Sequence, residues 1–280
     1  MMTNHCYVHL GRFGDIIILL PGLKYLYDTT GVKPNVMACA EFATVMEGCS
    51  YVQALPVEGF SWFKGVGEAV KLAKIHFNKV TVPKWWDCPG MEPPAPPDGA
   101  PFVEISHMGR SMKLEPEEWD SYQYSQWKAC GFTKEQMLSL PLVFDLRDQD
   151  REAFLVRHHT QMKKPVVLYN FSGISNPVGL EPEIMRELLP LKDQVELVDL
   201  SRIHAHRIYD LLGLYDRAAC LVTGDTATLH LAAASRVPTV ALLANGGAGS
   251  IPKCNTILTM RYSELMARVK EIRTAVETLL

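Results

Sequence analysis

Along the chain, short apolar runs bounded by glycine, proline or polar clusters alternate with longer stretches whose apolar positions recur at helical spacing. Residues 6–10 read as a buried strand that ends in the loop Gly11-Arg12-Phe13-Gly14-Asp15. Residues 16–26 then carry helical periodicity, interrupted at Pro21-Gly22. Further strands are predicted over 36–40, 52–57 and 79–82, with helices near 42–46 and over 65–77. Residues 89–101 form a proline-rich stretch too irregular for a regular element. A helix over 117–130, carrying Trp119, Tyr122 and Trp127, should stop at Gly131. The apolar run Leu140-Pro-Leu-Val-Phe then leads into a highly charged stretch, 145–157, read as a linking helix.

The second half restarts the alternation. A strand over 165–170 is followed by the polar loop 171–177 and a helix over 181–189. A strand over 195–200, a helix over 203–212 and a strand over 219–222 come next. That last strand turns at Thr223-Gly224-Asp225-Thr226 into an alanine-rich helix. A strand over 239–244 ends in Asn245-Gly246-Gly247-Ala248-Gly249-Ser250, and 262–280 has long-helix periodicity. Two alternating halves around a charged linker predict an α/β protein of two Rossmann-like, doubly wound domains, 1–145 and 146–280, facing a central cleft.

Composition changes this picture little. The 280 residues are 48% hydrophobic and 21% charged, enough apolar material for two cores. A net charge of −3 removes the global basic field of a bulk nucleic-acid binder. The seven cysteines are scattered without a Cys-x-x-Cys pair, which points to reduced thiols, a cytoplasmic setting and no zinc site. If the chain is phage-encoded, that setting is the host cytoplasm. No leader is visible, and the apolar run 16–20 is far too short to span a bilayer. The oligomeric state is left open.

Chemistry is suggested at four places. The turn at 223–228 has Asp225 or Thr226 as N-cap and leaves amides at a helix start, which suits a phosphate; an ordinary capped turn accounts for it equally well. The glycines at 11 and 14 permit close approach of a ligand, but the third glycine of a dinucleotide fingerprint is missing. Lys64, Lys71, Lys74, Lys79 and Lys84 stand beside Trp62, Phe63, Trp85 and Trp86. They read either as a phosphate-holding, base-stacking face or as a solvated helix with core aromatics. Asp148-Gln149-Asp150 has a metal-binding pattern but falls in the charged linker rather than at a strand end.

The segment His9-Leu-Gly-Arg-Phe-Gly-Asp15-Ile-Ile, with Pro21 following, resembles the opening of glycosyltransferase family 9, the heptosyltransferase-like enzymes. The segment Asp225-Thr-Ala-Thr-Leu-His-Leu-Ala-Ala-Ala234, with Pro238 and the apolar run 240–243, resembles that family's nucleotide-sugar motif. The middle of the chain, about 57–140, does not match. The resemblance implies a GT-B fold and an inverting, metal-independent transfer of sugar from a nucleotide sugar, with no further cofactor. It makes Asp15 the general base and sets Thr226, Ala227 and Thr228 against the leaving diphosphate. Asp225 would hold the turn or a sugar hydroxyl, while His230, one turn into the helix, reads equally as a packing residue or as part of the site. The implied donor site comprises Ser172, Gly173, Ser175, Gly224, Asp225, Thr226, Ala227, Thr228, Gly246 and Gly247; the acceptor side comprises Arg12, Gly14, Lys64, Trp85 and Trp86. The chain departs from the family at Ala227, commonly glycine, and at Ser172, Ser175 and Asn176, where a basic residue is usual. The acceptor reads as a glycan of lipopolysaccharide type. Two alternatives stand beside it: a phage-type transfer to a hydroxymethylated pyrimidine in duplex DNA, and a nucleotide-sugar binder without catalysis.

Overall fold

The computed structural model describes residues 5–60, 65–86, 103–108, 121–173, 177–244 and 253–280. The chain divides into two compact units, with the boundary between Leu146 and Arg147.

The first unit runs β1 (His5–Val8), α1 (Phe13–Thr30), β2 (Asn35–Cys39), α2 (Ala40–Ala43), β3 (Gln53–Val57), α3 (Val66–His76), β4 (Lys79–Trp86), β5 (Val103–Met108), α4 (Ser121–Ala129) and α5 (Lys134–Ser139). Its sheet has the order β3-β2-β1-β4-β5, with every pairing parallel. The chain winds outward from β1 to β3 and then crosses back to β4 on the other side of β1. That reversal makes the gap between the C-terminal ends of β1 and β4 the place where a ligand fits. Cys6, Val8 and Val80 on the strands pack against Ala69, Val70 and Ala73 of α3.

The second unit runs α6 (Gln149–His159), β6 (Val166–Asn170), α7 (Glu181–Leu188), β7 (Glu196–Asp199), α8 (Leu212–Tyr215), β8 (Cys220–Gly224), α9 (Ala227–Leu231), β9 (Thr239–Leu243), β10 (Thr256–Arg261) and α10 (Leu265–Glu277). Its sheet is also wholly parallel, in the order β10-β9-β8-β6-β7, so its reversal lies between β6 and β8. The near-continuous apolar runs of β6, β8 and β9 follow from burial on both faces. Leu265, Ile272 and Val276 of α10 close this core with Ile184 and Leu188 of α7.

Three local expectations need correction. The first helix is not interrupted at Pro21: α1 runs unbroken through it, because Ile16–Leu23 are all buried and their packing outweighs the hydrogen bond that proline cannot donate. Strand β4 extends to Trp86, past Pro83, and its register to β5 shifts between Val82 and Trp85 as the ladder steps around the missing donor. The helix expected over 203–212 begins only at Ile208, as a 3₁₀ turn leading into α8; Arg207 N donates to Asp210 Oδ2 at 3.1 Å and starts it there. Strands β5 and β10 and helix α5 were not foreseen.

The crossing between units is pinned on both sides. Asp145 accepts hydrogen bonds from Ser50 N, at 2.7 Å, and from the Ser50 hydroxyl. Leu146 N donates to Gly48 O at 3.0 Å. Arg147 then grips buried Glu152 through Nε (2.7 Å) and Nη2 (2.6 Å), and Nη2 also reaches Asp216 at 2.7 Å. Among the described residues, no helix is long and apolar enough to cross a membrane. Burial pushes the thiols of Cys6, Cys49 and Cys220 up to about 12.

One pH effect follows from the edge of β1. His5 Nε2 meets the hydroxyl of buried Thr81 at 2.9 Å. Burial, and secondarily the charge of Lys79, lowers its pKa from 6.5 to about 4. Between those values the unfolded chain takes up a proton that the folded chain refuses, so stability falls as pH drops from about 6.5 to about 4. Urea unfolding at pH 7 and pH 4.5 should show a smaller acid loss in His5→Gln than in the parent. Equal losses would remove His5 from the account.

Candidate functional site

In the second unit, β6 and β8 lie side by side at the reversal, with Asn170 opposite Thr223. Asn170 joins the two loops that leave these strands. Its Nδ2 donates to Thr228 Oγ1 at 3.2 Å, and its Oδ1 accepts from Ser172 N at 3.0 Å. Ser172 and Gly173 are thereby held against the turn Gly224-Asp225-Thr226-Ala227-Thr228. The Thr228 hydroxyl also meets the hydroxyls of Thr223 and Thr226, each at 2.7 Å. Three partners saturate a hydroxyl, so Thr228 offers an incoming ligand its amide rather than its side chain.

Thr226 is the N-cap of α9 by position, but its side chain caps no amide, because the hydroxyl turns to Thr228 instead. Leu229 N bonds Thr226 O at 3.0 Å, which leaves the amides of Ala227 and Thr228 without an acceptor in their own helix. The alanine-rich helix is shorter than its composition suggests: α9 has five residues and passes into a 3₁₀ turn, Ala232–Ala234. An anion here would be held by amides of the turn, with little help from a long helix dipole.

The turn is shaped from behind by Tyr262, whose hydroxyl accepts from Asp225 N at 3.2 Å. Burial, with a hydrogen bond to Asp225 opposing it, raises the Tyr262 hydroxyl to about 12, so it stays protonated. Only glycine fits at 224. A Cβ there would stand 2.7 Å from Val178 Cγ2 and 3.0 Å from the Tyr262 hydroxyl. Asp225 is buried, and its Oδ1 lies 3.9 Å from His230 Nε2.

In the first unit, Asp15 occupies the first turn of α1, and its Oδ2 accepts from Arg12 N at 2.9 Å. The carboxylate thus caps the loop while the residue stays half-buried rather than enclosed. Arg12 and Gly14 are placed with it, also half-buried. Gly11 lies between two side chains: a Cβ there would stand 2.6 Å from His9 Cε1 and 2.9 Å from Asp15 Oδ2. His9 Nδ1 accepts from Gly11 N at 3.2 Å, and His9 Nε2 meets Gln126 Oε1 at 3.1 Å.

Trp85 and Trp86 close β4 at the C-terminal edge of the sheet, the edge that carries Asp15. Lys79 begins that strand, so six residues of extended chain, roughly 20 Å, separate it from the tryptophans. Lys74 is in the last turn of α3, near the Lys79 end, and Lys71 is paired with Glu68 at 2.8 Å. Lys84 directly precedes the tryptophans on β4, whereas Lys74 and Lys79 lie toward the other end of the sheet, so the lysines do not all share the tryptophans' edge. Lys64, Ser175, Gly246 and Gly247 lie outside the described residues, as do Trp62 and Asn176.

Asp148 of the Asp148-Gln149-Asp150 pattern is the N-cap of α6. It accepts from Arg151 N at 3.1 Å and pairs with Arg207 at 3.4 Å. A cavity of about 510 Å³, lined by Tyr215, Asp216, Arg236 and Pro238 among others, sits at the N-terminal ends of β8 and β9, opposite the edge with the turn. It takes no part in the site.

Asn170, Tyr262 and Gln126 have no motif of their own, whereas His9 opens the segment that runs to Asp15. The one local signal is a polar residue, Asn170, closing the apolar run of β6.

No family model matches the chain, and no curated protein does. Solved structures do. A glycosyl transferase family 9 structure from Veillonella parvula DSM 2008 is similar at a TM-score of 0.61 and 13% identity, over 99% of this chain and 97% of that one. The Escherichia coli ADP-heptose lps heptosyltransferase II gives 0.61 and 14%, over 97% and 98%. An E. coli heptosyltransferase solved with ADP-2-deoxy-2-fluoro heptose gives 0.56 and 13%, over 99% and 100%. The protein has the fold of these structures from end to end, the GT-B fold, with two units each built on a parallel sheet.

Proposed function

We propose that this protein is a glycosyltransferase that moves a sugar from a nucleotide sugar to an acceptor hydroxyl. The reading is carried by the junction at the β6/β8 reversal, where Asn170 binds the Ser172 loop to the Gly224–Thr228 turn. In a doubly wound sheet that gap receives a nucleotide. The amides of Ala227 and Thr228 suit the diphosphate, and Gly224 lets the backbone approach it.

In this reading Asp15 removes the proton from the acceptor hydroxyl as its oxygen bonds to the anomeric carbon. The bond from that carbon to the diphosphate breaks on the opposite face, so configuration inverts. The electron pair leaves with the nucleoside diphosphate, whose growing charge the amides of the turn stabilise. Asp148 is engaged by two arginines, so the reaction is assigned to protein donors without a metal from that carboxylate. The acceptor is assigned as a glycan hydroxyl, since Lys74 and Lys79 lie toward the end of the first unit's sheet opposite Asp15.

Thermal unfolding with ADP-, UDP- and GDP-sugars tests the donor. ADP-heptose belongs in the screen because one similar structure holds an ADP-heptose analogue. A donor at a hundredfold excess over Kd should add about 2.7 kcal/mol of stability. Transfer to glycan acceptors, followed by mass spectrometry, should persist in EDTA. No stabilisation by any donor at millimolar concentration would defeat the reading. Stabilisation without transfer would favour the binder, and steeply salt-dependent transfer to a hydroxymethylated duplex would favour DNA.

A further inference from the structure

The buried pair His9–Gln126 lies behind the Asp15 loop: His9 opens the segment that ends at Asp15, while no motif points to Gln126. Both side chains are almost fully buried: His9 is 1% exposed and Gln126 0%. Gly11 N–H can only donate, so His9 Nδ1, 3.2 Å away, accepts and carries no proton. The ring proton of the neutral imidazole is therefore on Nε2, and it donates to Gln126 Oε1 at 3.1 Å. The order is fixed from α4 outward: Gln126 sets the ring, the ring sets the Gly11 amide, and Gly11 leads directly into the loop that Asp15 caps.

Two further contacts make this a clamp on the loop. The ring and the Asp15 side chain close on Gly11 from two sides, since a Cβ at 11 would stand 2.6 Å from His9 Cε1 and 2.7 Å from Asp15 Cβ. Helix α4 is also fastened to α1 by its next residue, with buried Trp127 Nε1 donating to Ile18 O at 3.1 Å. Adjacent residues of one helix thus grip the loop before α1 and the first turns of α1 itself.

We propose that His9, oriented by Gln126, is a positioning residue that holds the Gly11–Asp15 loop in the shape from which Asp15 takes the acceptor's proton. The proposal rests on the reading of Asp15 as the base. His9 touches no reacting atom in this scheme. Its contribution is the placement of a carboxylate that must meet a hydroxyl within hydrogen-bond distance, where a displacement of about 1 Å can cost up to a hundredfold in rate.

Side-chain isosteres separate the two ends of the ring. His9→Asn puts an oxygen near the place of Nδ1 and keeps an acceptor for Gly11 N–H. His9→Gln reaches the place of Nε2 and keeps only the Gln126 contact, while His9→Leu keeps neither. Turnover should stay within about threefold in His9→Asn and fall about tenfold or more in His9→Gln and His9→Leu, with donor KM unchanged. The decisive arm is a double-mutant cycle in which His9→Leu is added to Asp15→Asn. If the histidine acts through the carboxylate, the double variant is no slower than Asp15→Asn alone. Losses that multiply, or equal losses in the Asn and Leu variants, overturn the proposal and leave the base reading standing. Near-parent turnover in Asp15→Asn overturns the base reading and the proposal with it. If His9→Leu fails to fold, as judged by near-UV circular dichroism and donor stabilisation, the comparison of the Asn and Gln variants decides.

Discussion

Asp15→Asn is expected to lower turnover by about a hundredfold or more while leaving donor affinity and stability nearly unchanged. A hundredfold corresponds to about 2.7 kcal/mol of transition-state stabilisation. The substitution is informative because the side chain has two tasks. Its Oδ2 accepts from Arg12 N at 2.9 Å, and an amide oxygen can do the same, so the first turn of α1 keeps its cap. An amide cannot accept a proton at neutral pH, so the chemical task is lost. Steady-state kinetics with saturating donor, alongside thermal unfolding with and without donor, separates the two. A variant that turns over at the parent rate would show that the base lies elsewhere. One that loses turnover and several degrees of stability together would show that the loop had moved.

The largest effect on stability is expected at Glu152. It is buried at 3% exposure and accepts two hydrogen bonds from Arg147. Glu152→Ala would leave Arg147 with Asp216 alone and open a void where α8 lies close against α6, since a Cβ at Gly213 would already stand 2.6 Å from Glu152 Cβ. Breaking a buried ion pair by removing one partner costs roughly 3 kcal/mol or more. For a unit of this size that is a fall of about 6–12 °C in Tm. Calorimetry of the second unit's transition would register it. A shift under about 2 °C would mean that the pair is replaceable by water and by Asp216.

The central strands were legible because a strand covered on both faces must be apolar throughout, as in Val166–Asn170 and Thr239–Leu243. Two of the four outer strands, β5 and β10, were not. In Thr256–Arg261 exposure alternates and polar residues intervene, and Val103–Met108 reads Val-Glu-Ile-Ser-His-Met, so neither forms the continuous run that marks a buried strand. The site divides in the same way. Asp15 and the turn 224–228 were legible because each sits in a compact local motif. Asn170, Tyr262 and Gln126 were not, because each reaches the site from 58, 37 and 117 residues away along the chain. Pro21 misled for a related reason. Its local cost was visible, but the burial of eight consecutive helix residues that overrides it was not.

The strand order of the first unit bears on how the protein is made. Strand β1 ends at Val8, yet it lies in the middle of its sheet, with β2 on one side and β4, which begins only at Lys79, on the other. A parallel sheet has no hairpin from which to grow, and each pairing waits for a crossover to be completed. At about 5–20 residues per second, a ribosome delivers the second neighbour of β1 several seconds after β1 itself. Through that interval an apolar strand with one open edge must be kept from pairing with another chain. Expression slow enough for a chaperone to cover that edge should therefore improve the yield of folded protein more than any change made late in the chain.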